Sequence, residues 1–279
     1  MVHIIGDTLS CLSLDEARKL GIPYLPQIII FGDQSYRDDT EIDSDTFIAK
    51  LKKSTELPKT AAPYPPLYAP YFKELSKDGE PILVICPPSK VSGTVRSAEV
   101  AAKDFPNADI RVLDTPVIGA ALGSVLRKAA EWAKSGLDAD AISKRVMEMS
   151  ERNRTYFLVD TLEYLQKGGR IGAAQALFGS ILQVKPLLAF KGGQVVPVES
   201  TRTKAKALAR FIEIVAAECP KKEESFFTVE HGGDKELAAS LANQFKSILG
   251  VKDVPITHVP PAILVHGGPG VIGVSYFVD

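Results

Sequence analysis

The chain has 279 residues, 33 Lys+Arg against 34 Asp+Glu for a formal net charge of −1, and 45% apolar and 24% charged residues. Those fractions are average for soluble globular proteins and exclude a disordered chain, a collagen-like repeat and a multi-span membrane protein. The balanced charge offers no basic face to neutralise phosphates, so nucleic acid is not an expected partner.

In chain order, compact apolar runs bounded by turn residues predict buried strands at 2–6, 24–31, 81–86, 110–114 and 156–160. Later strands are expected at 187–190, 194–199, 226–230, 256–259 and 273–278, with Lys191-Gly192-Gly193 as a hairpin signal. Between them, the small-residue-rich segment 116–134 reads as a helix packed closely on a sheet. Leu208, Phe211, Ile212, Val215 and Cys219 form one helical stripe, and Leu237, Leu241, Phe245 and Ile248 another. This alternation predicts an α/β protein of two α/β domains, mainly parallel in its first half and mixed in its second. The polar stretch 149–154 marks the expected boundary between an N-terminal α/β domain, 1–152, and a C-terminal one, 153–279.

Charge is unevenly placed. Residues 171–184 and 254–278 contain no Asp, Glu, Lys or Arg. Pro255, Pro260, Pro261 and Pro269, with Gly267, Gly268, Gly270 and Gly273, break the second tract too often for a lipid-spanning helix. The first has the length of a buried helix. Both read as interior segments, either plain core or the wall of an apolar ligand site. The N-terminus reaches Asp7 after a very short apolar run, without a basic leader, so a cytoplasmic location is expected.

Several residues are placed to carry chemistry. The run 81–86, the loop Pro87–Thr94 and a helical pattern from Val95 form a strand–loop–helix unit that aims backbone N–H groups at an anion. Ser92 and Thr94 add hydroxyls, and Gly93 permits close approach; equally, Ser92 caps the helix. The loop lacks GxxxxGK[ST] and is not a nucleotide P-loop. Thr60 lies in an irregular segment before Pro65 and is a cap or a donor, while Asp7-Thr8 ends the first strand, where open α/β sheets bind ligands. His266, inside the charge-free tract, is a buried histidine with a partner or a ligand donor. Arg170, after Gly168-Gly169, and Arg202 can each present a guanidinium at a pocket mouth or stand in solvent. Cys11, Cys86 and Cys219 form no CxxC pair and read as small buried hydrophobes. The four histidines form no HExxH, and no GxSxG elbow accompanies His266-Gly267-Gly268, so neither a zinc site nor a serine hydrolase is expected. From these residues alone, one reading is an enzyme for a small anionic metabolite, with Asp7 or His266 as general base and the Ser92 loop as cradle.

Asp160-Thr-Leu-Glu-Tyr-Leu-Gln-Lys-Gly-Gly-Arg-Ile171, in order with Asp7-Thr8, Thr60, Ser92-Gly93-Thr94, Lys185-Pro186 and His266-Gly-Gly-Pro-Gly270, resembles the DegV family over the full length. That family includes the fatty-acid-binding subunits of bacterial fatty acid kinase. The resemblance implies two α/β domains with a long-chain fatty acid between or beneath them. It implies that Thr60, Ser92, Gly93, Thr94 and His266 hold the carboxylate, and that Arg170 and Arg202 lie at the mouth, where an ATP-dependent kinase subunit docks. The chain would then be a lipid carrier and co-substrate without a cofactor, touching membranes transiently to exchange its cargo. Two departures from the family pattern are Ala61 and Pro87-Pro88, where hydroxyl residues are usual.

Overall fold

The computed structural model describes residues 1–177 and 185–279. The first half runs β1 (His3–Asp7), α1 (Leu14–Leu20), β2 (Tyr24–Leu25), β3 (Ile28–Phe31), β4 (Gln34–Arg37), α2 (Ser44–Leu51), β5 (Lys59–Ala61), α3 (Pro65–Leu75), β6 (Ile82–Cys86), α4 (Thr94–Ala102), β7 (Ile110–Asp114), α5 (Ala120–Lys134) and α6 (Ala139–Glu151). The second runs β8 (Asn153–Leu158), α7 (Glu163–Lys167), β9 (Lys185–Lys191), β10 (Gln194–Thr201), α8 (Lys204–Glu218), β11 (Thr228–His231), α9 (Lys235–Leu249), β12 (Ile256–His258), α10 (Pro261–Gly267) and β13 (Ile272–Phe277).

Strands β2-β1-β6-β7 form a parallel sheet covered on both faces. The two-residue period of β1 and β6 sorts their side chains. Ile4, Leu83 and Ile85 pack on α5 and α6, whereas Ile5, Ile82, Val84 and Cys86 pack on α3 and α4. Burial on both faces is why these strands read as unbroken apolar runs. Strands β10-β9-β8-β13-β11-β12 form a second, mixed sheet, antiparallel except for β11–β12. Its outer face carries the α8 and α9 stripes, centred on Phe211 and Phe245. Its inner face meets α2, α10 and a small antiparallel sheet, β4-β3-β5, in a shared core that includes Ile29, Phe47, Leu188 and Leu264.

The β9–β10 hairpin turns on Gly192 and Gly193, both at positive φ, as a two-residue turn between paired Lys191 and Gln194 requires. Its tip rests on the loop after β6. A Cβ at Gly193 would stand 2.9 Å from Pro88, and Lys90 Nζ donates to the Gly192 carbonyl at 2.9 Å. The Pro87-Pro88 departure thus packs where the two halves touch.

Four expectations need correction. The run 24–31 is not one strand: Pro26, which has no N–H, separates β2 from β3, and the two join different sheets. The segment around Thr60 is a strand, because β3 offers its free edge to Lys59–Ala61. In the first charge-free tract, Gly172–Leu177 forms 3-10 turns with Gly172, Ala173, Gln175 and Ala176 exposed, not a buried helix; 178–184 lie outside the described residues. Phe226 is an exposed left-handed residue, and the strand expected at 226–230 begins at Thr228. Among the described residues no helix is long and apolar enough to cross a membrane.

Candidate functional site

A cavity of about 340 Å³ lies between the parallel sheet and the inner face of the mixed sheet. Most of its wall is apolar, from Leu9, Val91, Ile118, Phe157, Phe190 and Val259 among others. Thr60, Ser92, Gly93, Arg170 and His266 converge on it from four separate elements or loops. A larger groove, about 1000 Å³, runs elsewhere past Glu16, Arg127 and Lys222 and includes none of these residues. Chemistry, not size, selects the smaller one.

Thr60 is held by β5 opposite Ile29, and its Oγ1 is 3.0 Å from His266 Nε2. Burial pushes the imidazole down to about 4, assisted by the nearby Arg170 charge, so the ring is neutral at physiological pH. The other nitrogen, Nδ1, is buried without a partner among the described residues and lies 2.2 Å from where a Cβ on Gly168 would stand. Only glycine fits there. If Nε2 carries the ring proton and donates to Thr60, the threonine hydroxyl is left to donate into the cavity. Tyr164 lies against Gly268 and Asp160 against Gly270, so the 160–171 segment and the 266–270 turn pack as one unit.

Ser92 is set by the loop after β6, where Val91 N–H and Ser92 N–H both donate to the Pro88 carbonyl. Gly93, not Ser92, is the N-cap of α4, though Ser92 Oγ accepts from Thr94 N–H at 3.3 Å. The Arg170 guanidinium ties this loop to the glycine turn, donating from Nε to the Val91 carbonyl and from Nη1 to the Gly168 carbonyl.

Behind Ser92 lies a buried polar relay. Ser92 Oγ is 2.8 Å from Thr94 Oγ1, which is 3.2 Å from Asp7 Oδ2. Gln27 Nε2 donates to Asp7 at 2.8 Å, and Thr8 Oγ1 and the Gln27 N–H donate to Asp38 Oδ1. Burial raises both carboxyls to about 7, and among the described residues no cation offsets it. The protonation of Asp7 sets the direction of the relay. An ionised Asp7 accepts a hydrogen bond from Thr94 Oγ1, Thr94 then accepts one from Ser92 Oγ, and no Ser92 hydroxyl hydrogen is left for a ligand. A protonated Asp7 donates to Thr94, Thr94 donates to Ser92, and the Ser92 proton points into the cavity.

The expected residues are therefore divided. Thr60, Ser92, Gly93, Arg170 and His266 line the cavity; Thr94 and Asp7 stand one and two bonds behind it, so Asp7 cannot reach a substrate as a base. Arg202 is exposed in the turn between β10 and α8 and does not line it. Gln27 and Glu230 line the cavity without having been expected there. Their signal was a polar residue inside an apolar strand-like run. Among the described residues no cluster of His, Cys, Asp or Glu is placed to hold a metal.

The family model described as "Uncharacterised protein, DegV family" matches residues 1–279. The chain belongs to the DegV family. A DegV domain-containing protein of Halalkalibacterium halodurans is 33% identical over 279 residues, covering 100% of this chain and 99% of its own. Protein DegV of Bacillus subtilis is 30% identical over 276 residues, with 99% and 98% covered. Among solved structures, a DegV-family protein of Thermus thermophilus described by its fatty acid binding superposes with a TM-score of 0.90 at 28% identity, covering 100% and 99% of the two chains. A stearic-acid-binding protein of Eubacterium ventriosum gives 0.89 at 25% identity, covering 99% and 98%.

Proposed function

We propose that this DegV-family chain binds a long-chain fatty acid in the 340 Å³ cavity and presents its carboxylate to a separate ATP-dependent kinase subunit for acyl phosphate formation. The observation that carries this reading is the convergence of neutral polar groups, Thr60, Ser92 and His266, with one half-buried Arg170, at one part of a cavity whose wall is mostly apolar. A fatty acid has the same division: an anion at one end, hydrocarbon along the rest. The solved relatives described as fatty-acid-binding support it.

Burial of about 15 methylenes contributes roughly 12 kcal/mol gross, at about 0.8 kcal/mol each, before the cost of ordering the chain. The tail therefore dominates affinity and the head donors fix orientation. Thr60 and Ser92 donate to the carboxylate, Gly93 gives it room at the N-terminal end of α4, and Thr94 acts through Ser92. Neutral donors leave the carboxylate its charge, which its attack on the γ-phosphorus of ATP needs; ADP leaves, and the kinase supplies the nucleotide. Arg170 lies where the carboxylate would be reached, and the exposed Arg202 belongs to the docking surface. Loading and release proceed through transient contact with a lipid surface.

Two measurements test this. Delipidated protein should take up a long-chain fatty acid, and Thr60→Ala with Ser92→Ala should weaken binding about tenfold or more without loss of fold; unchanged affinity would remove the headgroup assignment. Added to a fatty acid kinase subunit with ATP and fatty acid, the chain should make ADP release lipid-dependent. If it does not, the carrier role fails while binding stands.

A further inference from the structure

Glu230 is the one carboxylate in the cavity wall, and the headgroup cluster does not use it. It sits on β11 and is only 7% exposed, and its Oε1 has no hydrogen-bond partner among the described residues. Its neighbours explain only part of it. The Oε2 atom lies 2.5 Å from where a Cβ on Gly119 would stand, and Gly119 is the N-cap of α5 without a capping side chain. The Ala120 backbone N–H and the Ser275 hydroxyl favour the ionised form, and Cys11 Sγ stands 3.9 Å from Oε2; burial outweighs them and raises the carboxyl to about 7. These neighbours leave the carboxyl short of the partners its two oxygens can take.

The sheet shapes a notch around this carboxyl. Phe157, Gly273 and Glu230 are register partners on the adjacent strands β8, β13 and β11, and all three line the cavity. Gly273 has no side chain, so the floor between the Phe157 ring and the Glu230 carboxyl is backbone. A plain hydrocarbon chain lying there would meet an apolar wall on one side and an under-partnered buried carboxyl on the other, an arrangement that is costly to desolvate. A hydroxyl on the chain removes that cost. It can donate to an ionised carboxyl or accept from a protonated one, so it fits either state.

We propose that Glu230 makes the cavity selective for an acyl chain bearing a hydroxyl group along its length, the hydroxyl pairing with the Glu230 carboxyl beside Gly273. The inference rests on the fatty-acid reading above and adds the class of fatty acid. It is tested with delipidated full-length protein, by comparing octadecanoic acid with a panel of its positional monohydroxy derivatives in a competition assay. One mid-chain hydroxy isomer should bind about tenfold more tightly than the unsubstituted acid. Glu230→Leu should abolish or reverse that preference, and Glu230→Gln, which keeps an amide in place, should retain part of it; melting curves of both variants report folding. Equal affinities across the panel, or a preference that survives Glu230→Leu, would overturn the proposal and leave fatty acid binding intact. Binding of no fatty acid at all would overturn both.

Discussion

His266 stands against Gly168: the imidazole Nδ1 occupies the space in which a side chain at residue 168 would begin, 2.2 Å from its Cβ position. The glycine of the 160–171 segment is thereby tied to a residue near the other end of the chain. Gly168→Ala should push the ring off Thr60 and break a hydrogen bond now 3.0 Å long. The expected result is a folded protein with fatty acid affinity reduced about tenfold, the scale of one lost charge-assisted hydrogen bond. Titration calorimetry alongside circular dichroism reads both; normal affinity would mean that His266 does not orient Thr60.

The relay from Asp7 through Thr94 to Ser92 predicts a pH dependence of binding. Ionised Asp7 turns the Ser92 proton away from the cavity and adds a second negative charge behind it, with Asp38 close by. Affinity should therefore fall as pH rises through about 7, by about tenfold between pH 6 and 8, the limit set by one proton taken up on binding. Asp7→Asn cannot ionise and should make that slope shallower, Glu230 in the same wall supplying what remains. A wild-type affinity constant across this range would rule out the relay.

Stability should show a complementary trend. Asp7, Asp38 and Glu230 have native values raised to about 7, so the native state holds protons that the unfolded chain has released, and stability is lost as pH rises from about 4 through about 7. His231 and His266, depressed to about 4 chiefly by burial, act oppositely between about 4 and 6.5, where the unfolded chain binds protons the native state refuses. The two sets oppose one another in acid, and only the carboxyls act above 6.5. Melting temperature should thus drop between pH 6.5 and 8, less steeply in Glu230→Gln. A melting temperature that rises over that interval would contradict the assignment.

Core and site can be separated. Phe245 is fully buried between α9 and the outer face of the mixed sheet, its ring centroid 4.8 Å from Phe227 and 6.2 Å from Phe211. Phe245→Ala should cost about 3–5 kcal/mol in denaturant unfolding. Because the cavity lies on the other face, fatty acid affinity well below the melting temperature should change less than about twofold. A large affinity loss would couple the outer core to the site.

The sequence by itself determined the α/β class, the doubly covered parallel strands and the glycine hairpin, because periodicity and turn chemistry are local. Family-specific motifs also marked Thr60, Ser92, Gly93, Arg170 and His266, which do meet at one cavity. It could not divide 24–31 between two sheets, since its apolar pattern is continuous and the partners lie elsewhere in the chain. Nor could it place Asp7 behind Thr94 or draw Gln27 and Glu230 into the wall. Thr60 meets His266 across 206 positions, and Glu230 meets the Phe157 notch only through the shared strand β13. Local pattern reports whether a residue is buried; which polar atom faces a cavity, and which is left without a partner, is decided only when distant strands pair.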